Sequence, residues 1–258
     1  MFKIVLDAGH GLFTSGKRCL KVLDRHETRE WWLNNRICDK IEENLKAYSG
    51  YEVLRVDDPM GESDIPLPNR TTTANRWGAD FYLSVHHNAG VGGGSGGGPV
   101  TIAYTSASED ALRYQKIVHN SFIARVGNWG NRAEPIPRQN LHVLRETNMP
   151  AVLIECGFMD SAVDVPMILS EEFAKAAAQG LTDALVQIGN LKKKEEEKVE
   201  ECKFTDIKGH YAQKQIEELF HMGVVNGVDE EHFNPDAPVT RGQAAIMVRN
   251  AIRYVTGR

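Results

Sequence analysis

Apolar residues in the first 188 positions follow two patterns: short apolar runs, and longer stretches with one apolar face per helical turn. The short runs predict strands at residues 4–7, 51–56, 79–83, 99–104, 141–144 and 151–155. The longer stretches predict helices at residues 27–45, 66–77, 108–126 and 171–188. Strands that alternate with helices favour an α/β fold, in which helices cover both faces of a twisted, mostly parallel or mixed sheet.

The pattern changes at residues 192–198, which are all lysine or glutamate. This composition indicates a solvated linker or a helical spacer, and we place the linker at 190–202 between domains at 1–189 and 203–258. The second domain is predicted to be small and α-helical, with helices at 210–221 and from 240 to 254. So small a unit buries little core alone, and we expect it to need a partner or a second copy.

The composition excludes several classes of protein. The 258 residues are 41% hydrophobic and 25% charged, with a net charge of −5, which argues against nucleic-acid binding. No apolar run reaches the ~18 residues of a membrane span, and the N-terminal segment turns polar too soon for a signal peptide. The four cysteines form no CxxC pair, so we expect neither a disulfide framework nor a thiolate zinc site. We therefore expect the protein to be made in a reducing compartment.

Polar candidates for chemistry follow three of the predicted strands. His10 follows the first strand, and Glu155 ends the last. His86 and His87 follow the third, just before a run of glycines at 92–98 that is too flexible to hold a shape without contacts. Open α/β sheets bind ligands outside the carboxyl ends of their strands. We therefore expect three of these side chains to converge on one point.

Four motifs together carry a family resemblance. They are residues 7–11 (DAGHG), Glu27, residues 84–89 (SVHHNA) and residues 144–158 (LRETNMPAVLIECGF). Their order and spacing are similar to those of the zinc-dependent N-acetylmuramoyl-L-alanine amidases, and more narrowly of the amidase-3 family, over residues 1–188. That family includes sporulation and cell-division amidases and many phage endolysins.

The resemblance implies one Zn²⁺ per catalytic domain, with His10, Glu27 and His86 as its ligands and Glu155 as the catalytic residue. Two histidines and one carboxylate leave the fourth zinc position for water, which the metal acidifies towards neutrality. Glu155 is then the general base that takes the proton of that water and passes it to the leaving amine. Local sequence alone favours a plainer role for Glu27, as an acid in the first turn of a helix.

Further residues are candidates for substrate contact. His87 and Asn88 adjoin the second histidine motif, although the family position of His87 varies and is not a ligand. His142 is either a substrate contact or a histidine at a strand edge. Cys156 follows Glu155, but in a strand it points to the opposite face, so we interpret it as a buried, inert thiol.

The C-terminal domain resembles one S-layer homology repeat, a module that binds secondary polysaccharides of Gram-positive cell walls. The similarity lies in residues 204–212, 223–227, 233–236 and 240–245. The usual Thr-Arg-Ala-Glu signature reads TRGQ at 240–243, and one repeat is present where three are common. Arg241 is either the guanidinium that contacts an acidic sugar substituent or a structural arginine at a helix start. Thr240 is expected to cap that helix.

These resemblances predict a peptidoglycan hydrolase that cuts the amide bond between the lactoyl group of N-acetylmuramic acid and L-alanine of the stem peptide. We expect a phage endolysin, made in the host cytoplasm without a signal peptide and acting on the wall after release. A host sporulation or mother-cell autolysin is the nearest alternative. A wall endopeptidase or carboxypeptidase with the same metal, and a non-catalytic wall-binding protein, are the others. The oligomeric state stays open.

Overall fold

The computed structural model describes residues 1–194 and 202–256, and the chain divides into a first unit, Met1–Lys194, and a second unit, Glu195–Arg258. Residues 195–201 of the predicted linker and residues 257–258 of the predicted C-terminal domain lie outside the described part. None of the helices in the described ranges is long and apolar enough to cross a membrane.

The first unit contains eight strands and six helices among its described residues. The strands are β1 (Phe2–Ala8), β2 (Tyr48–Ser49), β3 (Tyr51–Arg55), β4 (Phe81–Asn88), β5 (Val100–Tyr104), β6 (Arg138–Gln139), β7 (Ala151–Phe158) and β8 (Lys192–Lys193). The helices are α1 (Glu30–Leu45), α2 (Leu67–Trp77), α3 (Glu109–Val126), α4 (His142–Arg145), α5 (Asp164–Ile168) and α6 (Glu171–Gly189).

Six of these strands form one mixed sheet, in the order β3-β1-β4-β7-β5-β6. The strands β3, β1, β4 and β7 run parallel, whereas β5 is antiparallel to β7. Because side chains alternate across a strand, Ile4 and Leu6 of β1 face one core cluster, which includes residues of α1, α3 and α6, and Val5 faces another. Apolar clusters on both faces of the sheet confirm the predicted fold class.

Two predicted elements differ from the structure. Residues 141–144 form no strand, because the backbone N–H groups of Leu144 and Arg145 both donate to Leu141 and close a helical turn. A short apolar run does not separate a buried strand from a buried helical turn, so the placement of His142 at a strand edge was wrong. Lys192–Lys193, assigned to the linker, instead pair with β2 as part of the first unit.

The glycine run after β4 is held by two carboxylates that follow β7. One oxygen of Asp160 accepts the backbone N–H groups of Gly90, Val91 and Gly92 at 2.7–2.9 Å. Asp164 accepts the N–H of Gly98 at 2.8 Å and, through its other oxygen, the indole N–H of a tryptophan. These hydrogen bonds are the contacts that such a flexible sequence requires to keep one shape.

The second unit has a small core around Phe204, Ile207 and Ile216. Its helices are α7 (Gln213–His221) and α8 (Arg241–Thr256). The Thr240 hydroxyl accepts the N–H of Gln243 at 3.2 Å, while the Gln243 side chain accepts the N–H of Thr240 at 2.8 Å. This reciprocal pair is a capping box, so glutamine in the TRGQ sequence takes the part that glutamate takes elsewhere. No residue that the structure describes in α8 is buried.

Candidate metal and catalytic site

The predicted metal-binding and catalytic residues lie at one edge of the sheet. His10 follows β1, His86 lies near the carboxyl end of β4, and Glu155 lies in β7 directly opposite His86 in the strand register. Because β1, β4 and β7 are adjacent and parallel, their carboxyl ends share one edge of the sheet. This is the placement that the strand pattern predicts.

A group of potential metal ligands lies at this edge. His10, Glu30 and His86 each offer one ligand atom, and these atoms all lie within 4.8 Å of one another. Glu30 Oε1 is 3.3 Å from His10 Nε2 and 3.0 Å from His86 Nδ1. Ligands about 2.0 Å from a tetrahedral zinc are about 3.3 Å apart, so these separations and this donor set fit that ion.

Glu27, the predicted carboxylate ligand, is not part of this group. Its oxygens pair with Arg18 at 3.1 Å and Lys21 at 3.9 Å, both on the surface. The carboxylate that meets the two histidines belongs to Glu30, which is 1% exposed. A glutamate at the start of this helix does face the two histidines, as predicted, but it is Glu30 and not Glu27, three residues earlier.

The helix start explains this difference. The segment before α1 pairs back on the loop after β1: the Cys19 N–H donates to Thr28 at 2.8 Å, and the Glu30 N–H donates to Lys17 at 3.0 Å. The pairing keeps residue 27 in a turn with a positive φ of 49° and delays the first helical residue to Glu30. The apolar helical repeat begins directly after it, at Trp31, and this was the signal in the sequence that favoured Glu30.

Arg70 holds the backbone around His10, the first candidate ligand, and sequence reasoning did not find this arginine. Its buried guanidinium donates to the carbonyl oxygens of Ala8 and His10, each at 2.9 Å, and to the carboxylates of Asp7 and Asp64. His10 itself has a φ of 69°, in the left-handed region that non-glycine residues seldom adopt. Arg70 therefore fixes the backbone that carries a candidate ligand.

Gly9 is required by a close approach. A Cβ added at this position would lie 2.0 Å from His86 Cε1 and 2.4 Å from each nitrogen of that ring. The imidazole of His86 thus packs flat against the backbone between β1 and His10. The positions of both candidate histidine ligands therefore depend on the same short turn.

Glu155 has a buried carboxylate oxygen and a raised pKa. Burial, with a contribution from the negative charge of Glu30, raises its pKa to about 7, and the charges of His86 and Lys17 limit the shift. Its Oε2 atom is buried and accepts no hydrogen bond from the described residues. An unpaired carboxylate oxygen beside a candidate metal group has the position to accept a proton from a water there.

The other predicted contacts have different surroundings. His87 is 2% exposed, its Nδ1 lies 2.8 Å from Asn34 Oδ1, and burial lowers its pKa to about 3. A neutral, buried ring cannot reach substrate, so that prediction for His87 was wrong. Asn88 turns its Oδ1 to the N–H of the next residue, His142 lies 3.4 Å from a threonine hydroxyl, and Arg241 is exposed at the start of α8. Substrate contact by these three stays a prediction.

A cleft of about 300 Å³ opens beside the two histidines. It is lined by Asp7, Gly9, His10, Asp64, Ile65, Pro66, Leu67, Arg70 and His86. Its walls are the turn after β1 and the start of α2. The cleft therefore gives access from solvent to the metal group.

Comparison with protein families identifies both units. The sequence profile of the N-acetylmuramoyl-L-alanine amidases matches residues 4–187. The chain belongs to this amidase family. The S-layer homology domain matches residues 203–245, after the amidase domain, and both resemblances inferred from motifs are thus confirmed.

Several relatives resemble this amidase over most of its length. The N-acetylmuramoyl-L-alanine amidase CwlM of Bacillus licheniformis is 33% identical over 193 residues, covering 75% of this chain and 71% of that protein. The endolysin of Bacillus phage SPP1 is 32% identical over 197 residues, covering 75% and 69%. Among solved structures, the catalytic domain of the amidase CwlV from Bacillus (Paenibacillus) polymyxa var. colistinus has a TM-score of 0.65 at 29% identity, covering 74% of this chain and all of that one.

Proposed function

We propose that the chain is a zinc-dependent peptidoglycan amidase that hydrolyses the bond between the lactoyl group of N-acetylmuramic acid and L-alanine of the stem peptide. One observation carries the proposal: His10, Glu30 and His86 form a zinc-type ligand group in a domain of the amidase family. When bound there, zinc supplies a Lewis acid for the amide carbonyl and an acidifying centre for water.

The protein's own groups then perform the proton transfers. Glu155 lies opposite His86 on the neighbouring strand, with a buried oxygen that no described residue engages. In the metal-free protein burial raises its pKa to about 7, and this buried environment favours a carboxyl group that accepts a proton from water and holds it. The same carboxyl group then gives the proton to the departing amine of L-alanine, because a group that titrates near neutrality serves well in both directions.

The second unit supports wall attachment. Its S-layer homology sequence and the exposed Arg241 fit an acidic cell-wall polysaccharide as ligand. Because peptidoglycan and this polysaccharide are both wall polymers, the chain acts at the cell wall. The relatives include a phage endolysin and a sporulation-specific amidase, so they support the reaction, and the phage origin stays a prediction.

The test is an end-group analysis on purified peptidoglycan. We expect new L-alanine amino termini, no new reducing sugar ends, loss of activity with a chelator and recovery with Zn²⁺. The Glu155→Gln variant should keep its zinc and lose about 10²- to 10⁴-fold in turnover, the share that a general base contributes. New termini other than L-alanine would assign the chain to the endopeptidases, and no cleavage with intact wall binding would leave only the binding function.

A further inference from the structure

The carboxylate of Glu30 has one oxygen towards the histidines and one away from them. Its Oε1 also accepts the backbone N–H of His87 at 3.3 Å, so three groups surround that atom. Its Oε2 is buried and accepts no hydrogen bond from the part of the chain that the structure describes. The ammonium of Lys17 lies 3.7 Å from this second oxygen. Carboxylates that bind metals usually have such an outer partner, which fixes their orientation.

The backbone places Lys17 beside Glu30 independently of that ion pair. The Glu30 N–H donates to the Lys17 carbonyl, and the next residues along, Arg18 and Arg29, form an antiparallel bridge. The lysine side chain is 44% exposed and begins at a fixed point on this short ladder. The ammonium can thus reach the Glu30 carboxylate without the entropy loss of ordering a loop.

We propose that Lys17 is a positioning residue of the metal site: its ammonium holds the second oxygen of Glu30, so that the first oxygen faces His10 and His86. The inference rests on the proposed metal-dependent function. A cation near the site also repels a divalent ion. However, water screens the repulsion from a half-exposed ammonium, whereas the attraction acts at 3.7 Å on a buried carboxylate oxygen and is screened less. Removal of Lys17 should therefore weaken metal binding.

The experiment measures the affinity of the full chain for Zn²⁺ by competition with a chromophoric chelator. The Lys17→Met variant keeps most of the aliphatic length, and we expect its affinity to fall about 10-fold, the lower end of the effect of outer partners. The Lys17→Arg variant should restore most of the loss. The Lys21→Met variant is the matched control, because Lys21 is 76% exposed and pairs with Glu27 instead.

Turnover gives a second readout. With excess Zn²⁺, the turnover of Lys17→Met should rise towards that of the wild type as the metal site fills. A smaller difference should remain, because the charge of Lys17 also lowers the pKa of Glu155. Unchanged or tighter zinc binding by Lys17→Met, or turnover that does not rise at all with excess zinc, would overturn the positioning role. If the wild type binds no zinc in the same titration, the proposed metal centre fails together with it, so the two failures are distinguishable.

Discussion

Replacing Gly9 by alanine places a methyl carbon inside the space of the His86 ring. The added Cβ would lie 2.0 Å from Cε1 and 2.4 Å from Nδ1 and Nε2. The φ of Gly9 is not in the left-handed region, so alanine can keep the backbone as it is. The effect of the substitution is therefore a steric effect on one ligand.

The size of the effect follows from contact distances. Carbon atoms in contact are normally about 3.5–4.0 Å apart, so the ring must retreat by roughly 1.5–2 Å. Metal–ligand distances tolerate about 0.2 Å, and His86 would leave the ligand group. Since changes in outer partners alone cost about 10- to 100-fold in affinity, we expect at least a 100-fold loss for Gly9→Ala. The overpacking itself should cost about 1–3 kcal/mol of folding free energy.

The assay is zinc content after dialysis, together with a chelator titration and a thermal melt followed by circular dichroism. Gly242→Ala is the control, because its Cβ meets only the Thr240 hydroxyl at 3.9 Å. It should keep zinc at the level of the wild type and should not lower stability, because alanine is favoured over glycine in a helix. A Gly9→Ala protein that is folded and binds zinc as tightly as the wild type would refute the packing of His86 against this turn, and with it the ligand geometry.

Three further predictions concern other parts of the molecule. Glu30→Gln should lower zinc affinity at least 100-fold in the same titration, since loss of a ligand exceeds the 10- to 100-fold cost of losing an outer partner. Glu27→Gln should leave the affinity unchanged, and the opposite result for the two variants would identify Glu27 as the ligand. In the metal-free protein, burial raises the pKa of Glu155 from 4.5 to about 7, so the unfolded chain ionises first and the contribution of Glu155 to stability should fall as pH rises across that interval, by about 3 kcal/mol at most. The difference in stability between the chelator-treated wild type and Glu155→Gln should therefore change across this interval, and a difference that is independent of pH would contradict the assignment. Thr240→Ala should destabilise the second unit by about 0.5–2 kcal/mol in a melt of the full chain, because it removes a helix cap, and an unchanged second-unit transition would count against the capping box.

The sequence predicted the residues of the site that strands position. His10, His86 and Glu155 each follow or end a short apolar run, and parallel strands deliver such residues to one edge whatever the details of the loops. Arg70 could not be found this way, because it lies in a predicted helix and its acceptors are about 60 residues away in the chain. Its role exists only once the sheet has formed.

Glu30 shows a different limit. The helix and an acidic residue at its start were both predictable, but the first helical residue depends on the pairing of residues 17–19 with 28–30. Helix boundaries carry weaker signals than helix interiors, because the apolar repeat that marks a helix does not mark its first turn. An error of three residues in a boundary changes which carboxylate reaches the histidines, although the fold is unaffected.

The hydrogen bonds that hold the glycine run have a consequence for the order of folding. Gly90, Val91 and Gly92 donate to Asp160, about 70 positions further along the chain, so this loop cannot settle before β7 has joined the sheet. Bringing together residues so far apart in the chain costs loop-closure entropy. The hydrogen bonds that offset this cost form only after the loop has closed. The rim of the site next to β4 is therefore completed late in folding. Pulse-labelling hydrogen exchange should show these three amides gaining protection after those of β1, and earlier protection would contradict this order.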